Sequence, residues 1–579
     1  MRNRDLKAGG LLAPMIASAA AALALRLPNL PQPLGPDQGI MATIGEGILR
    51  GQVPYRDAWE MATPAIFFTY AGIYKLAAPF FHTPLERMAA VPLADMIVVA
   101  FSCAMVALAA RRASPARGRL AAWVAGLCFA LFASGRSFGM NSAGDLTAGT
   151  HWYLAQRETF INLLAACGAV IALGREGPPR GRGGGAVWRF LALGLLAGGG
   201  IAYKFPAGAL FIGAAALCFA EAWASRQERS FPVRAGVGAA VIAAGATVVP
   251  LLLLAWFWRR GALAPMAEAT LGYVHQIYGH AQHGLLATAK NGTIRTAVVV
   301  RENFWLWALA AGAVAWCGAA AADRLRRAGA LRVASLGVWW FSAMLYVAAH
   351  REFFGYHYLV LLPPMSALAG VAVAVASPHR DGTSPKRDPD GVLREPARLI
   401  MAAALAANLV VFAGLNYKHY TSLLRVVSGG KGMSWYYSHF TAYPNHEYSF
   451  PADLEVARHL AATTGPHEPV YVLGGIEPVI YLLSERRCPS RFVYSWFLTD
   501  TARADVPLAA QFRQELARSL LDDPPVALVT IGPLERFAKY PVLHDALAPR
   551  YSLEREFPDG RFLYRLRATG SRRQEQPSS

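Results

Sequence analysis

Apolar runs long enough to cross or nearly cross a bilayer alternate along this chain with short polar segments rich in arginine. A helix through the hydrocarbon needs about 20 apolar residues, and shorter ones survive inside a bundle. The runs near 8–26, 88–110, 120–134, 153–173, 188–202, 205–222, 235–258, 303–321, 333–349, 356–376 and 397–415 therefore predict about eleven spans. The first run follows basic residues, as a secretory signal does, but lacks a convincing small-residue cleavage site and is read as an uncleaved span. Another apolar stretch, TPAIFFTYAGIYKLAAPFF at 63–81, is read as an interfacial helix, because a crossing there would turn the basic segment 111–119 outward.

Beyond residue 415 the periodicity changes. ADLEVARHLAAT, EPVIYLLSE and QFRQELARSLLDD read as helices, and EPVYVLG and PVALVTIG as buried strands. YSLEREFPDGRFLYRLRA reads as a hairpin around an Asp-Gly turn. The expected fold is an α-helical polytopic membrane protein with about 11 spans, interfacial helices in the first outer loop (27–87), and a small C-terminal α/β domain. Residues 1–415 would form the membrane domain, 416–567 an outward-facing soluble domain, and 568–579 a disordered tail.

Composition supports this class. Of 579 residues, 54% are apolar and only 16% charged, against about a quarter charged in soluble proteins. The net charge of +19 would suit nucleic acid if it lay on one soluble face. Here the arginines sit between apolar runs, at 111–119, 175–189, 225–234, 323–332 and 377–398, and give topology instead. These segments and the N-terminus are assigned to the cytoplasm, and the C-terminal domain to the periplasmic or extracellular side of the inner (plasma) membrane. Two cytoplasmic segments flank 190–224, so that stretch must be a hairpin turning near Lys204 and Pro206. Five of the six cysteines lie in apolar runs, Cys488 stands alone, and no CxxC pair occurs, so neither a disulfide framework nor a cysteine-held metal is expected. No internal repeat supports an inverted-repeat transporter.

Ionisable residues at the edge of a bilayer are functional candidates by default, and several gather on the outer side. Asp37 precedes GIMATIGEGILRG, whose Ile40, Ile44 and Ile48 have the spacing of an amphipathic helix lying on the membrane. As a helix N-cap it would satisfy backbone donors; as a base it would activate a hydroxyl. Asp57 is a turn residue or a partner of Arg56 or Arg50. Arg157 and Glu158 open a span, where such neighbours often neutralise each other, and His151 reads as an interfacial histidine. Lys204 either snorkels to the surface or holds a phosphate. Arg351, His357 and Tyr358, in HREFFGYHYLVLLPP, belong to an aromatic belt or to the same phosphate site. Carboxylates and cations on one membrane face suit glycosyl transfer from a lipid phosphate, with a base for the acceptor hydroxyl and cations for the leaving phosphate.

The stretch PDQGIMATIGEGILRGQVPYRDAWEMATPAIFFTYAGIYKLAAPFF resembles the first outer loop of the multi-spanning glycosyltransferases of the C superfamily. That group is related to protein O-mannosyltransferases and bacterial aminoarabinose transferases, and the chain is glycosyltransferase family 39-like. The resemblance continues in YLAQRETFINLLAACGAVIAL, GLLAGGGIAYKFPAGALF, FFGYHYLVLLPPMSALAG and the segment VARHLAATTGPHEPVYVLGGIEPVIYLLSERRCPSRFVY. It implies a polyprenyl-phosphate sugar donor, a lipid, glycan or protein acceptor, a site at the outer interface, and inversion at the sugar carbon. By position it implies Asp37 as catalytic aspartate and Glu158 as second acid. Lys204, Arg351, His357 and Tyr358 would contact the donor phosphate, and Asp57 and Arg56 would support the loop. The residues specify no cofactor and are compatible with a divalent cation. The chain departs from the pattern at Gln38, where many members carry an acid, and at Ala62–Pro64, where Lys-Pro-Pro is common. A transporter or flippase of a lipid-linked glycan is the alternative, and a scaffold whose outer domain binds partners is a third.

Overall fold

The computed structural model describes residues 8–114, 117–134, 154–174, 184–224, 231–278, 284–320, 327–377, 391–444, 447–499 and 504–567. His151, most of the arginine-rich segments and the tail after 567 lie outside them. Every predicted apolar run falls in a helix, from Ala8–Arg26 and Ala90–Ala113 through Phe231–Arg259 to Gly391–Val427. Among the described residues, five helical segments are long and apolar enough to cross a membrane. A sixth joins them if Leu285–Glu302 and Phe304–Cys317, bent by 94°, count as one span. Gly118–Ala133, Val187–Tyr203 and Phe205–Ala220 are shorter apolar helices, which suits segments shielded from lipid by neighbours. The chain is a multi-spanning membrane protein; among the described residues five or six helical segments have the length and composition of full spans, and the shorter apolar helices account for further predicted runs.

The predicted turn at Lys204 is a true break. The preceding helix ends at Tyr203, Lys204 is extended (φ −167°, ψ 126°), and a 3-10 turn over Phe205–Phe211 leads into Ile212–Ala224.

In the first loop, Gly35 caps and Pro36 starts the helix Pro36–Leu49, a position where proline's missing N–H costs nothing. This helix does not lie with one face on lipid. Ile40, Met41, Ala42, Ile44 and Gly45 are all buried. The helix Ala65–Ala77 covers one side, where a Cβ at Gly45 would come within 2.8 Å of the Tyr70 Cβ. The short helix Val479–Ser484 covers another, and the Thr43 hydroxyl donates to Pro478 O at 3.1 Å. The amphipathic spacing was correct for one face, but small residues make the opposite face a packing surface too.

The C-terminal sheet follows the sequence reading closely. Its strands are β1 (Val470–Leu473), β2 (Ala527–Ile531), β3 (Tyr551–Phe557) and β4 (Arg561–Leu566), in the order β1-β2-β4-β3. β1 and β2 run parallel, with Val470 opposite Ala527, and the other pairs are antiparallel. β1 and β2 are buried along their whole length, as continuous apolar strands require. The β3–β4 turn places Asp559 and Gly560 at φ +53° and +69°.

One apolar cluster joins this sheet to the first loop. Trp59 is its centre, stacked on Phe497 at 4.0 Å and ringed by Tyr273, Phe492, Tyr494 and Phe512. Its backbone N–H donates to Arg491 O at 2.6 Å.

Candidate active site

Two helix starts face each other here. Asp37 is the second residue of Pro36–Leu49, not its N-cap: Gly35 takes that position, and no side chain caps the helix. The half-buried Asp37 carboxylate therefore sits in the first turn, where the helix dipole favours an anion, and its Oδ2 accepts from Gln156 Nε2 at 3.1 Å. Gln156 is the N-cap residue of the facing helix Arg157–Leu173.

The first turn of that second helix carries Arg157 and Glu158. They do not simply neutralise each other. Glu158 is fully buried, and its Oε1 accepts from Lys204 Nζ at 2.7 Å and from the Tyr346 hydroxyl at 2.9 Å. Arg157 lies within electrostatic reach of Asp37, Glu158, Tyr346 and Tyr356. Its Nε makes no hydrogen bond among the described residues. Lys204 is buried against two aromatic faces, 5.7 Å from the Tyr346 centroid and 5.6 Å from that of Tyr356, a placement that favours the ammonium. It is also within electrostatic reach of Asp37.

The helix Arg327–Ala349 supplies Tyr346, and His350, the residue after its end, donates from Nδ1 to Tyr346 O at 2.7 Å. His350 and His357 pack ring to ring at 4.4 Å. The His357 Nδ1 is buried and has no partner among the described residues.

Asp37, Glu158, Lys204 and His357 are thus brought together. Tyr358 is buried on another side of its 3-10 turn, with its hydroxyl 2.8 Å from that of Thr296. Arg351 is exposed in the bend after His350, at φ +57°. Asp57 and Arg56 form the loop pair expected of them. Two Arg56–Asp57 contacts of 2.8 Å join a bond from Val53 N to Asp57 Oδ2 at 2.8 Å, and Arg56 Nη1 reaches Arg260 O at 2.9 Å. Arg50 pairs with Glu46 instead.

Sequence reasoning passed over Gln156, Tyr346, His350, Tyr356 and the role of Glu60. Tyr346 and His350 stand four apart at the end of an apolar helix, a spacing that places both on one face and was the available signal. Glu60 accepts from the Tyr494 hydroxyl at 2.7 Å and from Ala62 N at 3.1 Å. Burial pushes its carboxyl above the usual range, against the opposing pull of the Tyr494 bond and of Arg157. Among the described residues, no group of three His, Cys, Asp or Glu side chains gathers as a metal site would require.

A carboxylate with one oxygen engaged, within electrostatic reach of Lys204 and Arg157, can accept a proton beside a stabilised anion. The ArnT crystal structure from Cupriavidus metallidurans, bound to undecaprenyl phosphate, aligns with a TM-score of 0.52 at 16% identity, covering 96% of this chain and 98% of that one. The archaeal oligosaccharyltransferase AglB from Archaeoglobus fulgidus, in complex with an inhibitory peptide and a dolichol-phosphate, aligns with a TM-score of 0.46 at 12% identity, covering 98% of this chain and 75% of that one. At 16% identity the ArnT likeness is one of fold. No family model and no curated protein matches the sequence.

Proposed function

We propose that this protein is a membrane glycosyltransferase that moves a hexose or pentose from a polyprenyl-phosphate donor to a lipid, glycan or protein acceptor, with inversion at the sugar carbon. The observation that carries this reading is the Asp37 carboxylate within electrostatic reach of the buried Lys204 and the half-buried Arg157. The fold shared with ArnT, whose structure holds undecaprenyl phosphate, supports it.

In this mechanism Asp37 takes the proton of the acceptor hydroxyl as its oxygen attacks the anomeric carbon. The bond from that carbon to the phosphate oxygen breaks on the opposite face, so a single displacement inverts the centre. The phosphate leaves on its polyprenyl tail with one more negative charge, which Lys204 and Arg157 stabilise and to which His357 contributes a polar contact. Glu158 keeps Lys204 charged and in place. Arg351 and Tyr358 act farther along the donor, and the Arg56–Asp57 pair supports the loop. The site belongs at the outer interface of the inner membrane, with the N-terminus cytoplasmic and residues 416–567 covering the loop from outside.

Purified protein incubated with a panel of radiolabelled undecaprenyl-phosphate hexoses and pentoses and with cell-envelope acceptors is expected to transfer label from at least one donor. Asp37→Asn should lower that transfer by about 10²-fold or more. Full transfer by Asp37→Asn would overturn the assignment of the base.

A further inference from the structure

The chain enters the helix Arg157–Leu173 through the turn Leu154–Gln156, and this turn is gripped from three directions. Gln38 Nε2 donates to Leu154 O at 2.8 Å. The Ala155 N–H donates to Asp95 Oδ1 at 2.8 Å, and the Tyr70 hydroxyl donates to Ala155 O at 3.2 Å. Ala155 itself stands at φ +47°, a backbone conformation that a residue with a Cβ keeps only where its surroundings impose it. Leu154, Ala155, Gln38, Tyr70 and Asp95 are all buried. Asp95 is fixed in turn by the Arg26 guanidinium and by the Thr159 hydroxyl at 3.2 Å.

The turn ends at Gln156, whose amide donates to Asp37. Gln38 follows Asp37 directly, so the two facing helix starts exchange a pair of bonds: Gln38 to Leu154, and Gln156 to Asp37. An ionised acid at position 38 could not donate to a carbonyl, so the glutamine at this position has a distinct task. We propose that Gln38, Tyr70 and Asp95 are positioning residues that hold the Leu154–Gln156 turn in register with Asp37. Gln156 then orients one carboxylate oxygen and leaves the other to meet the acceptor hydroxyl. This proposal rests on the reading of Asp37 as the base. Acting through geometry alone, these residues affect the reacting step and leave the donor-phosphate cations untouched.

The test uses full-length purified enzyme and the undecaprenyl-phosphate sugar that the transfer assay selects. Gln38→Met keeps the shape and removes the donor; Tyr70→Phe deletes one oxygen. Each is expected to lower kcat by about tenfold to hundredfold while the donor KM stays within about twofold. The double variant Gln38→Met/Gln156→Ala should be no slower than Gln156→Ala alone, because both act through one bond to Asp37. Melting temperatures separate this from loss of fold, and Tyr70→Phe carries the test if Gln38→Met does not fold. Additive losses, an unchanged kcat in the folded variants, or a rise in KM that accounts for the whole effect would overturn the proposal. Inactive Asp37→Asn beside fully active Gln38→Met and Tyr70→Phe would sink the positioning role alone; active Asp37→Asn would sink the base.

Discussion

Replacing Glu158 with Gln, or Lys204 with Met, removes half of a buried ion pair and strands the other half. The 2.7 Å contact corresponds to about 6 kcal/mol of attraction at an effective dielectric of about 20. Desolvating the two ions costs several kcal/mol each, so the intact pair adds little net stability compared with an apolar pair of the same shape. Each single substitution, by contrast, should cost about 3–5 kcal/mol, because the remaining charge loses its counter-ion without regaining water. Glu158→Gln should be the worse of the two. It leaves Lys204 facing Arg157, whereas Lys204→Met leaves Glu158 with the Tyr346 hydroxyl and with Arg157 in reach. The double variant Glu158→Gln/Lys204→Met should return to within about 1–2 kcal/mol of the native protein. Denaturant unfolding of detergent-purified protein, arranged as a double-mutant cycle, measures the coupling directly. Stability should recover in the double variant while transfer does not, since the ammonium proposed to stabilise the phosphate is gone. Additive losses would refute the reasoning about the pair, and recovered transfer would remove Lys204 from the donor site.

Trp59→Ala should cost about 3–5 kcal/mol in the same unfolding assay, because it empties the centre of the aromatic cluster against Phe497; a loss under about 1 kcal/mol would show that the cluster collapses without it. Glu60 gives a pH-dependent effect with a definite sign. Its folded-state carboxyl titrates above the unfolded one, so the folded protein retains a proton that the unfolded chain gives up. Stability from this group is complete below both values and falls as pH rises through them. Glu60→Gln should therefore melt higher than the native protein near pH 7.5, with the gap closing as the pH approaches about 4, near the unfolded carboxylate value.

Much of the fold was legible because apolar runs and strand periodicity are local signals. The run at 205–222 and the strand VYVL each announce themselves within a few residues. The carboxylates and Lys204 were legible for a related reason: a charge at the edge of an apolar run is conspicuous. What surrounds them was not. Gln156 meets Asp37 across 119 residues and Tyr346 meets Glu158 across 188, and no local pattern encodes such a pairing. Within GYHY the tyrosine beside Lys204 is Tyr356, whereas the sequence pointed to Tyr358 as the donor contact. In a 3-10 turn, residues two apart point about 240° apart, and sequence gives no phase for that rotation. The helix Pro36–Leu49 was placed on lipid because its isoleucine stripe was visible, while the glycine-rich face that packs Tyr70 carries no apolar signal.

Glu60 and Tyr494 meet across 434 residues of chain, and that separation has a consequence for synthesis. The first loop leaves the ribosome near the beginning of translation, and the side chains that bury Trp59 and bind Glu60 are made near its end. Non-local contacts of this kind form late and leave their earlier partners uncovered meanwhile. A newly inserted chain thus passes through an interval in which its membrane helices can be assembled while the first loop still lacks its cover. The loop is covered only when the last hundred or so residues have been made and folded back onto it.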